Sequence, residues 1–132
     1  MKRILCILTI LIAGYLQSEE YHFAGVHYMA SYRGCDHSAL ADIERLQVVM
    51  KNAVTECGAT LLNTSEYAFS PEAITMVLLL SESHASIHTY PEFDACYVDL
   101  FTCGNKCDYT KFEQVLKDYL KPDELETRIL KR

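Results

Sequence analysis

An apolar run from Ile74 to Leu80 gives way without any linker to Ser81-Glu82-Ser83-His84-Ala85-Ser86-Ile87-His88-Thr89-Tyr90-Pro91-Glu92. The run follows a turn signal, Ser70-Pro71-Glu72, and shows no polar alternation, which predicts a strand covered on both faces or central in its sheet. Buried strands normally present apolar side chains. The hydroxyls, imidazoles and carboxylates crowded behind this one are therefore a local inconsistency of the kind that functional sites produce.

The flanking segments supply the rest of a fold. Tyr21 to Arg33 sets Val26, Tyr28, Ala30 and Tyr32 against His27, Met29 and Ser31, a period of two that predicts a first strand ending at Gly34. Asp36 or Ser38 can cap a helix whose apolar residues Leu40, Ile43, Leu46, Met50, Val54 and Cys57 step by three and four, with Gly58 as its stop. A second strand begins at Ala59 to Asn63 and can run to Phe69. Beyond Leu80, strands are predicted over Ser86 to Tyr90 and Ala95 to Phe101, a helix over Tyr109 to Leu120 ending at Pro122, and a last strand over Glu124 to Leu130. The expected fold class is α+β: a mostly antiparallel sheet with two main helices on one face, forming a single domain over residues 21–132.

Composition narrows the ligand. With 132 residues, half of them apolar, there is material for one core. Acidic residues outnumber basic ones 18 to 12, for a net charge of −6, which is unsuited to a phosphate backbone, so no nucleic-acid partner is expected. The six cysteines do not space like a disulfide framework or a zinc site. Cys35, Cys57 and Cys96 read as buried thiols. His84 and His88 would share a helix face, but in extended chain they lie far apart and a third ligand is missing, so no metal is expected. A hydrolase built on Ser83 lacks a Gly-x-Ser-x-Gly elbow, and adjacency to His84 does not make a triad.

The whole string is more specific than any of its residues. Glu82-Ser83-His84-x-Ser86-Ile87-His88-Thr89-x-Pro91-Glu92, followed by Val98-Asp99-Leu100-Phe101-Thr102-Cys103-Gly104, resembles the bacterial and archaeal S-adenosylmethionine decarboxylase proenzymes. The resemblance extends from about Gly25 to the C-terminus, with His27 and Cys35-Asp36 also in family-like places. It implies that the chain cuts itself between Glu82 and Ser83. The Ser83 hydroxyl would attack the Glu82 carbonyl carbon, converting the amide to an ester. Loss of the Ser83 alpha proton, helped by His88, would then expel the Glu82 carboxylate and leave dehydroalanine, which hydrolyses to a pyruvoyl group.

That covalent group would be the only cofactor, a ketone that forms a Schiff base with the substrate amine and takes up electrons as carbon dioxide leaves. The resemblance further assigns Cys103 as proton donor, Thr75 as support for processing, and Phe69 and Glu92 to substrate binding. It implies S-adenosylmethionine as substrate, a place in spermidine synthesis, and a homodimer with its sites near the interface. The sequence departs from the family pattern where a Gly-Val-Ser-Gly-like segment reads Ala73-Ile74-Thr75-Met76, and where Tyr90 replaces a tryptophan. Another amino acid such as arginine or ornithine, or a catalytically silent subunit on the same fold, are the alternatives.

Lys2 and Arg3 precede an apolar run from Ile4 to Leu16, which has the form of a secretory signal but is short for a membrane span, and no small-x-small pair precedes Glu19. Residues 1–20 are expected to be a hydrophobic extension or signal-like segment. The chemistry favours the cytoplasm, while this segment leaves export or membrane association open.

Overall fold

A computed structural model describes residues 23–132. The signal-like segment and the expected strand start at Tyr21 lie outside the described residues. The elements follow in the order β1 (Gly25–Arg33), α1 (His37–Ala41), α2 (Ile43–Glu56), β2 (Leu61–Phe69), β3 (Ala73–Leu80), β4 (Ser83–Tyr90), a 3-10 turn (Pro91–Phe93), β5 (Ala95–Cys103), α3 (Tyr109–Leu120) and β6 (Glu124–Lys131). The strands form one sheet in the order β2-β3-β4-β5-β1-β6, and every neighbouring pair is antiparallel. Strands β2 to β5 follow one another as a meander, and β1 fills the place between β5 and β6.

The helix expected from Asp36 to Gly58 is two helices. Asp42 leaves helical geometry at φ −80° and ψ 80°; its N–H closes α1 on the Ser38 carbonyl while its carboxylate accepts from the Arg45 N–H at 3.0 Å to open α2. An aspartate is well suited to this because its short side chain satisfies the first unpaired N–H groups of a helix. Asp36 caps α1 in the same way, accepting from the Ser38 and Ala39 N–H groups. Gly58 ends the segment at φ +94°, where an added Cβ would stand 2.7 Å from the Lys106 carbonyl oxygen.

Among the described residues, α1, α2 and α3 lie on one side of the sheet. Leu46, Met50 and Val54 of α2 and Phe112, Leu116 and Leu120 of α3 meet Tyr28, Tyr32, Ile74, Met76, Leu78, Ile87 and Leu100 of the strands in one core. Within it the Tyr28 and Tyr32 hydroxyls bond at 3.0 Å, and burial pushes both phenols well above the ordinary tyrosine value. Phe112 is fully buried with its edge toward Tyr28. Phe112→Ala is expected to cost about 3–5 kcal/mol, read as a lower urea midpoint with an unchanged slope.

Of the two alternatives expected for the apolar run of β3, the structure realises the second. The strand is interior, with β2 and β4 on either side, but within one chain only its helix side is covered. Ile74, Met76, Leu78 and Leu80 are buried, whereas Val77 and Leu79 are 42% and 52% exposed. The opposite sheet face carries these residues together with Tyr67, Phe69 and Tyr97, all exposed.

Candidate active site

Strand β4 begins earlier than the polar sequence predicts, at Ser83 rather than Ser86. The pairing of Leu80 with Ser83 makes Ser81-Glu82 a two-residue turn. Such turns usually place glycine or asparagine where φ is positive. Here neither is present, and the positive φ, 148°, falls on Ser83. A non-glycine residue held there costs about 1–3 kcal/mol and persists only where the surroundings enforce it. Ser83 is fixed on one side by its pairing with Leu80 and on the other by pairing with Thr102 of β5.

The backbone N–H of Cys103 donates to the Glu82 carbonyl oxygen at 2.8 Å. That carbonyl belongs to the peptide bond joining Glu82 to Ser83. An N–H aimed at this oxygen stabilises negative charge developing on it when a nucleophile adds to the carbon. The Ser83 hydroxyl lies 3.3 Å from His84 Nδ1, and Cys103 itself is half-buried at the end of β5. Glu82, Ser83 and Cys103 thus form one cluster, at the turn end of β4.

His88 belongs to a second cluster. Thr75 pairs with it across β3 and β4, and the Thr75 hydroxyl bonds to His88 Nδ1 at 2.5 Å. The Phe69 ring stands edge-on to the imidazole at 5.9 Å, and Tyr90 approaches it at 4.5 Å. Phe69, Glu72, Ala73, His88, Tyr90 and Glu92 line a cleft of about 490 Å³. His37 stands at its rim, bonded to Asp94 at 2.8 Å and facing Glu72 at 3.6 Å. The hydrogen bond to Asp94 raises the His37 pKa above the ordinary histidine value. Any stability this contact supplies is complete below the unfolded-state pKa and is lost as pH rises through the higher folded-state pKa. An NMR titration is expected to show the raised His37 pKa, and Asp94→Asn is expected to lower it.

The two clusters are separated by strand geometry. Ser83 and His88 are five residues apart on a strand with unbroken pairing on both sides, which places them roughly 16 Å apart. One chain therefore brings Ser83 together with Cys103, and His88 together with Thr75, Phe69 and Glu92, but does not bring the two groups together. By the same spacing His84 and His88 stand about 13 Å apart, too far to share an ion.

Several other residues turn out to have structural positions. Met76 points into the core on the helix side, so its bulk does not enter the cleft; of the positions departing from the family pattern, only Ala73 and Tyr90 line it. Cys35, Cys57 and Cys96 are buried. Burial also pushes the Cys107 thiol up to about 12. His27 bonds to Asp99 at 3.1 Å on the open sheet face, beside Phe101. Thr60, which contacts Glu82, carries no signal in the sequence because its partner is 22 residues away.

The sequence model of the family described as S-adenosylmethionine decarboxylase matches residues 26–132. The chain is 44% identical over 97 residues to an S-adenosylmethionine decarboxylase proenzyme of Thermosipho africanus, covering 74% of this chain and 75% of that protein. It is 39% identical over 108 residues to the proenzyme of the same name from Methanococcus vannielii, covering 82% and 88%. The fold superimposes on the crystal structure of the adenosylmethionine decarboxylase from Aquifex aeolicus with a TM-score of 0.74 and 29% identity, covering 80% of this chain and 88% of that one. With the sheet order, the strained serine and the match over nearly the whole described chain in agreement, the chain belongs to the S-adenosylmethionine decarboxylase family and is an enzyme of the carboxy-lyase class.

Proposed function

We propose that this chain cuts itself between Glu82 and Ser83 and, as a homodimer, decarboxylates S-adenosylmethionine with the pyruvoyl group formed from Ser83, supplying decarboxylated S-adenosylmethionine for spermidine synthesis. The observation that carries the self-cleavage is the positive φ of Ser83 at a peptide whose carbonyl oxygen already accepts the Cys103 N–H. Attack by Ser83 Oγ forms an ester to Glu82 and frees the Ser83 amine. The Cys103 N–H stabilises the charge that passes through the Glu82 oxygen, and strain at Ser83 is relieved as the amide opens.

Loss of the Ser83 alpha proton is assigned to His88, with Thr75 orienting its ring through Nδ1. The separation along β4 is the support for a dimer: His88 and Thr75 of one copy act at Ser83 and Cys103 of the other. The exposed apolar face formed by Tyr67, Phe69, Val77, Leu79 and Tyr97 gives two copies a surface to bury against one another.

When formed, the pyruvoyl ketone supplies the electron sink for carbon dioxide release. The chain's other residues bind the substrate and move protons. The Cys103 thiol returns a proton to the substrate alpha carbon. Phe69 offers an aromatic face to adenine, and Glu72 and Glu92 place carboxylates where a sulfonium cation is attracted. We place the reaction in the cytoplasm, where the substrate is made; a mature N-terminus at Glu19 in an extracytoplasmic fraction would overturn that placement.

The test is a carbon dioxide release assay on the purified protein with S-adenosylmethionine, arginine and ornithine in parallel. Turnover of S-adenosylmethionine alone supports the assignment. Turnover of arginine or ornithine in its place would keep the chemistry and replace the substrate, while no release from any of them would favour a silent subunit.

A further inference from the structure

Thr60 lies between the end of α2 and the start of β2, outside any regular element, yet it is bonded to both residues that precede the strained serine. Its carbonyl accepts from the Ser81 N–H at 2.9 Å. Its own N–H donates to one Glu82 carboxylate oxygen at 2.8 Å, and its hydroxyl donates to the other at 3.2 Å. The Glu82 carbonyl is held from the opposite side by the Cys103 N–H. Glu82 is thus fixed at its side chain by Thr60 and at its main chain by β5.

This double hold accounts for a conformation that the turn residues do not explain. Ser81-Glu82 contains neither glycine nor asparagine, so the turn has no intrinsic reason to adopt a geometry with φ 148° at the next residue. Relaxing that angle requires the peptide between Glu82 and Ser83 to rotate or Glu82 to shift. The Cys103 bond resists the rotation, and the Thr60 bonds resist the shift. Hydrogen bonds to an ionised carboxylate are the stronger kind, suited to holding a strained neighbour in place.

We infer that Thr60 is a positioning residue for self-cleavage: by binding both oxygens of the Glu82 carboxylate it holds Ser83 in the conformation from which Oγ attacks the Glu82 carbonyl carbon. The inference rests on the self-cleavage reading above. It concerns the first step, in which the bond from Oγ to the Glu82 carbon forms, the carbon–nitrogen bond breaks, and the hydroxyl proton passes to the freed Ser83 amine. Thr60 touches none of the reacting atoms and acts through Glu82.

The experiment follows conversion of freshly purified proenzyme to two chains by intact-mass spectrometry for the wild type, Thr60→Val, Thr60→Ser, Glu82→Ala and the Thr60→Val/Glu82→Ala pair, with and without hydroxylamine. Hydroxylamine splits an ester and leaves an amide, so it reports the acyl shift separately from the later elimination. Thr60→Val keeps the side-chain shape and removes the hydroxyl. It is expected to slow cleavage roughly tenfold, with Thr60→Ser restoring it and hydroxylamine failing to do so. The double variant is expected to be no slower than Glu82→Ala alone, because the hydroxyl bond that Thr60→Val removes is already lost with the Glu82 carboxylate.

Wild-type speed in Thr60→Val overturns the inference, as does hydroxylamine restoring that variant or serine failing to rescue it. If Thr60→Val does not fold, Glu82→Ala decides: cleavage at the wild-type rate overturns the inference, and slow cleavage that hydroxylamine leaves slow supports it. Wild-type protein that stays uncut would remove the self-cleavage reading itself, whereas a cut wild type with an equally fast Thr60→Val removes only the role of Thr60.

Discussion

Ser83→Ala is expected to leave one uncut chain with no decarboxylase activity, while the wild type separates into a chain ending at Glu82 and a second chain beginning at residue 83. Alanine keeps the backbone and the Cβ but removes the hydroxyl proposed to attack the Glu82 carbonyl. Without the ester, the alpha proton has no carboxylate to expel and no pyruvoyl group can form. Intact mass gives a specific signature for the wild type: the second chain starts one ammonia lighter than a serine terminus and is blocked to sequencing from its end. The Cys103 N–H and the pairing with Thr102 remain available to alanine, so the variant should keep its fold and its thermal transition. A wild-type protein that is uncut under native conditions would sink the assignment of Ser83.

His88→Ala is expected to slow processing by about 10²–10⁴-fold, the usual worth of a positioned general base. The block falls after the ester has formed, so hydroxylamine should split the variant at residues 82 and 83 although it does not mature by itself. The geometry adds a more discriminating outcome. Ser83 and His88 lie five residues apart along β4, so in the proposed dimer each site takes Ser83 from one copy and His88 from the other. Chains carrying His88→Ala should therefore be cut when co-expressed with chains carrying Ser83→Ala, although neither variant is cut alone. The two variant chains differ in mass, so the cut chain can be identified as the one that retains Ser83. Failure of the mixture to cut, with mixed dimers present, would place both residues in a single-chain site and contradict the strand geometry.

Much of the fold was legible because its periodicities are strong. The alternation of Val26, Tyr28, Ala30 and Tyr32, the three-four spacing from Leu40 to Val54, and the helix from Tyr109 to Leu120 correspond to β1, the two N-terminal helices and α3. The break at Asp42 was hidden because the apolar stripe continues across it. A stripe records which residues face the core, and α1 and α2 both face it; the change in backbone direction depends on one carboxylate capping the next turn. The start of β4 was hidden for a different reason. Ser83-His84-Ala85 is polar enough to read as a loop, but pairing with β3 and β5 on both sides holds it extended.

The site divides in the same way. The motif from Glu82 to Glu92 and the Phe-Thr-Cys-Gly segment point to Ser83, His88 and Cys103 through their resemblance to the family's motifs. Whether those side chains meet depends on strand rise, sheet order and neighbours distant in sequence. Thr60 reaches Glu82 across 22 residues, the Cys103 N–H reaches the Glu82 carbonyl only because β5 lies beside β4, and His88 is carried away from Ser83 by the length of a regular strand. The sequence by itself determined the antiparallel α+β class, which follows from side-chain type and local period, and it named the candidate reactive residues through a family resemblance. Tertiary structure alone decided the strain at Ser83, the hold on Glu82 and the division of the site into two clusters, since these arise from contacts between strands that no local pattern records.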